Sequence, residues 1–386
     1  MHASRSGSLE QLLAAKELVI SCGSGGVGKT TTAAAMAAMA AVRLGGKVLV
    51  VTVDPARRLA DALGIQGAGN EERQVPAALF HQAGVSPRGQ LWAAMLDTKH
   101  SWDDLVVRHA PDRRTARRIL DNKLYENITG HFVHSHEYIA MERLYQLHHE
   151  GSYDLIVVDT PPTRNALDFF EAPERMAEFF SSRLLRLLSA PYRSSVMGFA
   201  SKPFFTVADR VLGSQFLAEI GEFFSLFQTM APGFRERAEA VVRLLHDKRT
   251  TFVVVSTLEA APVHEAEQFV GVLDAKGYHL GAMVLNKVLP RFLLDERAAA
   301  VASRLEQEAS QVAAKIADGI GEPAQVSRVL TEVAESFLRF EVVARREAEQ
   351  RAELSVVPDV VATVPYFETD IYSVEGLLRL AERIWA

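Results

Sequence analysis

The residues Gly23-Ser24-Gly25-Gly26-Val27-Gly28-Lys29-Thr30, with Thr31 following, carry the most specific chemistry in the chain. They fit the pattern G-x-x-x-x-G-K-[ST], with an apolar strand-like run before (Glu17 to Ser21) and an Ala/Met-rich helical run after (Lys29 to Leu44). Glycines let successive backbone N–H groups turn inward around phosphate oxygens. A helix starting near Gly28 aims its positive end at the same anion. Lys29 adds a point charge for the β/γ oxygens, and the Thr30 hydroxyl is suited to ligate Mg²⁺.

Two aspartates stand where such a loop needs them. Asp159 ends the apolar run from Asp154 to Val158. A carboxylate at the carboxyl end of a parallel strand is the expected Mg²⁺-side group, although Thr160-Pro161-Pro162 after it also suits a helix N-cap. Asp54 follows the run Lys47 to Val53 and precedes Pro55. It can cap the next helix, with proline at its first position, or orient a water for in-line attack on a γ-phosphate. Spacing leaves both roles open.

The elements that must hold these residues are legible as unbroken apolar runs: Lys47 to Val53, Leu91 to Leu96, Asp154 to Val158, Thr251 to Ser256, Leu280 to Leu285 and Val360 to Val364. Strands buried on both faces read this way, without alternation, and helical stretches separate them. The expected fold is therefore α/β: a P-loop NTPase with a mostly parallel sheet flanked by helices, plus an inserted helical subdomain. The expected divisions are a first core part over 1–164 with a helical excursion near 100–150, a helical insertion over 165–249, and a second core part over 250–386. That last part carries a further helical insertion near 290–350, broken at Gly319 to Pro323.

Composition narrows the function classes. The 386 residues carry 42 Lys and Arg against 48 Asp and Glu, a net charge of −6. This disfavours a sequence-independent nucleic-acid binder, including a DNA-partitioning ATPase that would share the loop, so no nucleic-acid partner is expected. The single cysteine, Cys22, rules out an internal disulfide and points to a reducing cytoplasm. The run from Thr30 to Val42 lacks charge but is shorter than the roughly 18–20 residues of a membrane span, and Met1 to Lys16 has no signal-peptide pattern. A soluble, intracellular protein is the expectation.

GGVGKTT, then VDPARRLADALG (Val53 to Gly64), then VVDTPPT (Val157 to Thr163) resembles the arsenical pump-driving ATPases and the related ATPases that deliver tail-anchored membrane proteins. DTPPTRNALDFFEAPERM (Asp159 to Met176) is especially similar to the paired actinobacterial anion-transporting-ATPase-like proteins. The resemblance implies ATP and Mg²⁺ as ligands. It makes Asp54 the catalytic residue of switch I and Asp159 to Thr163 switch II. Glu259, in VSTLEAAPVHEAE, would reach the nucleotide; Asn286, in VLNK, would contact adenine, as would Pro365, Tyr366 and Phe367 in VPYFETDIYSVEGL. It also implies a dimer with nucleotide at the subunit interface, cytoplasmic or peripheral at the membrane, handling a membrane protein or apolar-helix cargo.

Three departures qualify this. Ser24 stands where the family has a signature lysine that reaches the partner subunit's nucleotide, so the partner is a second copy or a lysine-bearing paralogue. Switch II reads Pro162-Thr163-Arg164-Asn165 in place of P-T-G-H, and Arg164 either restores a cation or makes a surface ion pair. The zinc-binding cysteine pair of the eukaryotic targeting members and the thiols of an arsenite site have no counterpart, so no zinc is expected, and Cys22 reads as a small buried residue.

Two further features have a functional and a plain reading. Twelve phenylalanines crowd residues 165 to 235, from Phe169 to Phe234, with Arg183, Arg186, Arg193, Lys202 and Arg210 between them. They form either an apolar groove or the core of a helical subdomain. His131, His134, His136, His148 and His149 lack the partner pattern of a metal site and read as solvated.

Overall fold

The computed structural model describes residues 8–53, 58–65, 71–96, 98–122, 124–125, 135–161, 170–178, 214–318, 321–354, 358 and 360–385. The sheet strands are β1 Leu18–Gly23, β2 Lys47–Thr52, β3 Arg73–Gln74, β4 Gln90–Met95, β5 Leu155–Asp159, β6 Thr250–Ser256, β7 Leu280–Val288 and β8 Val360–Pro365. They lie in the order β3-β4-β2-β5-β1-β6-β7-β8. Every pairing is parallel except β3 with β4. The six apolar runs and the Glu17–Ser21 run all form strands, with ends shifted by a residue or a few. The two-residue β3 escapes the sequence reading because it is too short to carry a pattern.

Alternate residues of β1, β2 and β4 to β7 feed two separate cores. Val19, Val48, Val50, Val157, Val253 and Val284 face α1 (Leu9–Ala14), α2 (Lys29–Arg43), α4 (Ala77–Gln82) and α13 (Val374–Trp385). Ile20, Leu49, Val51, Ile156, Phe252 and Val254 face α7 (Ser135–His149), α9 (Ala231–Leu245) and α10 (Ala260–Ala275). The remaining helices are α3 (Arg58–Ala62), α5 (Thr98–His109), α6 (Arg113–Leu120), α8 (Ser214–Gln228), α11 (Glu296–Ile316) and α12 (Pro323–Glu353). The alanines of α2 let its backbone pack closely between the sheet and α13: Ala33 to Ala35, Ala37, Ala38, Ala40 and Ala41 are all buried. Helices α11 and α12 pack on each other across the expected break.

A third core is wholly helical. Trp102, Leu105 and Val106 of α5, Ile119 of α6, Tyr138 and Ile139 of α7, Phe223 and Phe227 of α8 and Phe234 of α9 form it, with Ala172 and Met176. Five of the twelve phenylalanines have described side chains. Phe170, Phe223, Phe227 and Phe234 are buried and Phe224 is partly buried, so these belong to cores. Phe169, Phe179, Phe180, Phe199, Phe204, Phe205 and the Phe216 side chain lie outside the described residues, as do the five basic residues between them. His131, His134 and the His136 side chain also lie outside them. His148 is not solvated: it sits 3.1 Å from a Glu17 carboxylate oxygen.

Within the helical core, charge ties α5 and α9 to α7. The buried Glu142 takes the Arg237 Nε at 2.8 Å, with Arg108 at 3.9 Å. Burial raises its pKa, while the Arg237 bond and both guanidiniums oppose that rise. At the end of α5, against the Phe234 ring, burial, reinforced by Arg237 and Arg108, pushes the His109 imidazole from 6.5 down to about 4. Its folded pKa lies below its unfolded one, so its contribution to stability is complete above pH 6.5 and is lost as pH falls towards 4. The melting temperature should therefore carry an acid slope in that window, and His109→Gln should flatten that component. Parallel melting curves for the two proteins across the window would contradict this.

Candidate functional site

The phosphate-type loop leaves the carboxyl end of β1, near the centre of the sheet, where ligands of open parallel sheets bind. Its geometry requires glycine at Gly28, which caps α2 with φ 95°, and a Cβ there would stand 2.3 Å from the Asn286 amide nitrogen. At Gly23 a Cβ would meet the Val255 carbonyl oxygen at 2.1 Å. Lys29 opens α2, is buried, and donates from Nζ to the Ser24 carbonyl at 2.8 Å. Ser24 itself is only 7% exposed, and its hydroxyl has no hydrogen-bond partner among the described residues.

At the mouth of the loop the Thr30 hydroxyl donates to the Asp159 carboxylate at 2.6 Å. The Thr52 hydroxyl donates to the same oxygen at 2.9 Å. Sheet register produces this: Asp159 stands opposite Thr52 on β2 and opposite Ser21 on β1. Asp159 is fully buried and ends β5, and the residues past Pro161 that it would cap as a helix N-cap lie outside the described residues. Thr160, next in sequence, donates to the Ser21 carbonyl at 2.9 Å and fixes the strand's exit. The set of hydroxyl and carboxylate oxygens suits a hard divalent cation such as Mg²⁺, which ordinarily combines one or two carboxylates with substrate phosphate and water.

The loop forms one wall of a cleft of about 360 Å³, whose lining includes Gly25, Gly26, Gly28, Lys29, Thr30 and Thr31. The rest of the lining comprises Asn286 and Lys287 from the end of β7, then Pro365, Tyr366 and Phe367 with the segment through Ile371. The structure thus brings together the loop, Asn286 and Pro365 to Phe367, separated by more than 250 positions in sequence. Gly23, Ser24 and Val27 lie behind the lining, and the Val27 carbonyl accepts from Asn286 Nδ2 at 2.8 Å. The exposed Glu259 stands at the N-cap of α10, away from the cleft walls. Asp54 and Pro162 to Asn165, including Arg164, lie outside the described residues.

Sequence reasoning missed Thr52 and Lys287. A threonine at the carboxyl end of the strand beside Asp159, and a lysine next to Asn286, were the available signals. Cys22, directly before the loop, is buried, and burial pushes its thiol up to about 12 despite the Thr160 hydrogen bond and Lys29. It is an inert core residue.

A 360 Å³ cleft lined by a glycine loop, a lysine, a helix N-terminus, a threonine bonded to a buried aspartate, an amide and aromatic rings fits a nucleoside triphosphate. Comparison with known proteins agrees. Residues 16–319 match the family described as anion-transporting ATPase. An ATPase of Entamoeba dispar named as an ASNA1 homologue is 24% identical over 301 residues, covering 75% of this chain and 82% of its own. ATPase get3 of Aspergillus terreus is 28% identical over 271 residues, covering 69% and 72%. ATPase ASNA1 homologue 1 of Paramecium tetraurelia is 26% identical over 274 residues, covering 69% and 73%.

Proposed function

The chain belongs to the anion-transporting ATPase family, and from that premise we propose that it is a Mg²⁺-dependent, dimeric ATP-driven switch acting on a membrane-linked partner or an apolar-helix cargo. The observation that carries the nucleotide part is the cleft that unites the glycine loop, Asn286 and Pro365 to Phe367, with Thr30 of its lining bonded to Asp159.

Each residue has a role in this reading. Backbone N–H groups of the loop and the start of α2 take the phosphates, and Lys29 puts its charge on the β/γ oxygens. Thr30 and Asp159 are the residues that would hold Mg²⁺, which would offset charge on those oxygens. Thr52 fixes the Asp159 rotamer through its 2.9 Å bond. Asp54 orients the attacking water, as the resemblance implies. Asn286 spends one amide hydrogen on the Val27 carbonyl and one acceptor site on the Lys287 N–H, and keeps one of each for adenine. Pro365, Tyr366 and Phe367 bound the base. Glu259 joins the nucleotide by movement of its loop or not at all.

The dimer, the cytoplasmic location with peripheral membrane contact, and the cargo follow from the resemblance. No helix among the described residues is long and apolar enough to cross a membrane. The described phenylalanines are core, and the rest of the insertion's phenylalanine side chains lie outside the described residues.

A second reading is favoured by Ser24. A hydroxyl that is 7% exposed supplies no cation to a partner's γ-phosphate. The chain then serves as a nucleotide-binding regulatory subunit, completed by a lysine-bearing paralogue. Steady-state phosphate release, measured for the purified chain alone and with that paralogue, separates the two. Substantial Mg²⁺-dependent release by the chain alone supports the first reading, and release only in the mixture supports the second.

Both readings require Lys29. Lys29→Ala should weaken ATP binding by about 1.5–3 kcal/mol, the size of a hydrogen bond to a charged group. Calorimetry giving equal affinities for wild type and variant would remove the assignment.

A further inference from the structure

Lys287 is the one residue other than glycine among the described residues whose backbone is left-handed, with φ 57°. A side chain with a Cβ adopts that conformation at a cost, and it persists where the surroundings over-determine it. Here they do. Strands β7 and β8 pair regularly to Leu285↔Thr363 and resume at Val288↔Pro365, three steps along β7 against two along β8. Asn286 and Lys287 are the residues of this bulge, and bulges re-aim side chains beside functional sites. Beyond it the ladder closes again, with the Tyr366 N–H donating to the Val288 carbonyl at 3.0 Å.

The bulge aims two consecutive side chains at two consecutive peptides of the glycine loop. Asn286 Nδ2 donates to the Val27 carbonyl at 2.8 Å, and Lys287 Nζ donates to the Gly26 carbonyl at 3.1 Å. The Lys287 N–H donates in turn to Asn286 Oδ1 at 2.9 Å, fixing the amide that holds Val27. In a trans peptide the N–H points opposite the C=O. Holding the Gly26 and Val27 carbonyls against β7 therefore turns the Val27 and Gly28 N–H groups away from β7, as anion-cradling donors.

We propose that Lys287 is a positioning residue for the nucleotide: it fixes the Gly26–Val27 peptide so that the loop presents its donors before phosphate arrives, and the bulge and left-handed backbone exist to bring its amine there. This rests on the reading that the cleft takes ATP. The amine and the strain are separable, because glycine adopts the left-handed conformation without steric cost while alanine does not.

The test is calorimetric titration of Mg-ATP into wild type, Lys287→Arg, Lys287→Ala and Lys287→Gly, beside thermal melts of each without nucleotide. Lys287→Arg should bind within about threefold of wild type, whereas both Lys287→Ala and Lys287→Gly should lose about tenfold in affinity. Lys287→Gly should melt at or above the wild-type temperature, and Lys287→Ala below Lys287→Gly. Wild-type affinity in both amine-free variants, or an affinity loss confined to variants that melt lower, would overturn the proposal. A wild type that binds no ATP would instead overturn the nucleotide reading on which it rests.

Discussion

Replacing Asp54 by asparagine should leave ATP bound and slow phosphate release by about 10²–10⁴-fold, the usual worth of a positioned acid–base group. Asparagine is the informative choice. It caps a helix as well as aspartate does, so if Asp54 only caps the segment after Pro55 the variant should behave as wild type. It keeps the shape of the side chain but cannot accept a proton from, or orient by charge, an attacking water. Binding and turnover must be read together, by calorimetry and by single-turnover phosphate release, with the paralogue present if the chain turns over slowly alone. Unchanged release at unchanged affinity would remove Asp54 from the chemistry.

The second large effect is expected at Ser24. Charge spreads over the γ-oxygens in the transition state, and a cation supplied in trans is worth 10³–10⁵ in rate in other P-loop enzymes. Two copies facing each other with Ser24 on both sides lack that cation, so the homodimer should hydrolyse ATP slowly. Ser24→Lys should raise its turnover by about tenfold or more, a fraction of the full effect because the new ammonium is not preorganised. Ser24 is 7% exposed, so the lysine must carry its charge outward along its stem. Arg164 is the competitor. If it already fills the role, wild type is active, Ser24→Lys adds little and Arg164→Ala abolishes turnover. A rapid wild-type rate that survives Arg164→Ala would contradict both versions.

The loop, its lysine and the strand that ends at Asp159 were legible in the chain because each depends on local chemistry. Only glycine tolerates φ 95° at Gly28 or the Val255 carbonyl 2.1 Å from a Cβ at Gly23. Strands covered on both faces need no alternation, and so Lys47 to Val53 and Thr251 to Ser256 stand out. What was not legible depends on register and on contacts far apart in sequence. Thr52 meets Asp159 across 107 positions because β2 and β5 pair in one register, and a shift of one residue would turn it away. Lys287 reaches Gly26 across 261 positions from a bulge that no glycine announces. Glu347 of α12 accepts from the Leu289 N–H just beyond that bulge, a contact equally silent in sequence. The phenylalanine count, by contrast, did not distinguish groove from core, because aromatic residues are enriched in both.

A crystal structure of the chain grown with Mg²⁺ and a non-hydrolysable ATP analogue tests the site assignment most directly. The expected result has the phosphates on the backbone of Gly25 to Thr30 beside Lys29, the metal between Thr30 and Asp159, and adenine between Asn286 and the Pro365–Phe367 wall. Nucleotide seated outside this cleft, or phosphates on the loop with the base away from Asn286 and Phe367, would contradict it.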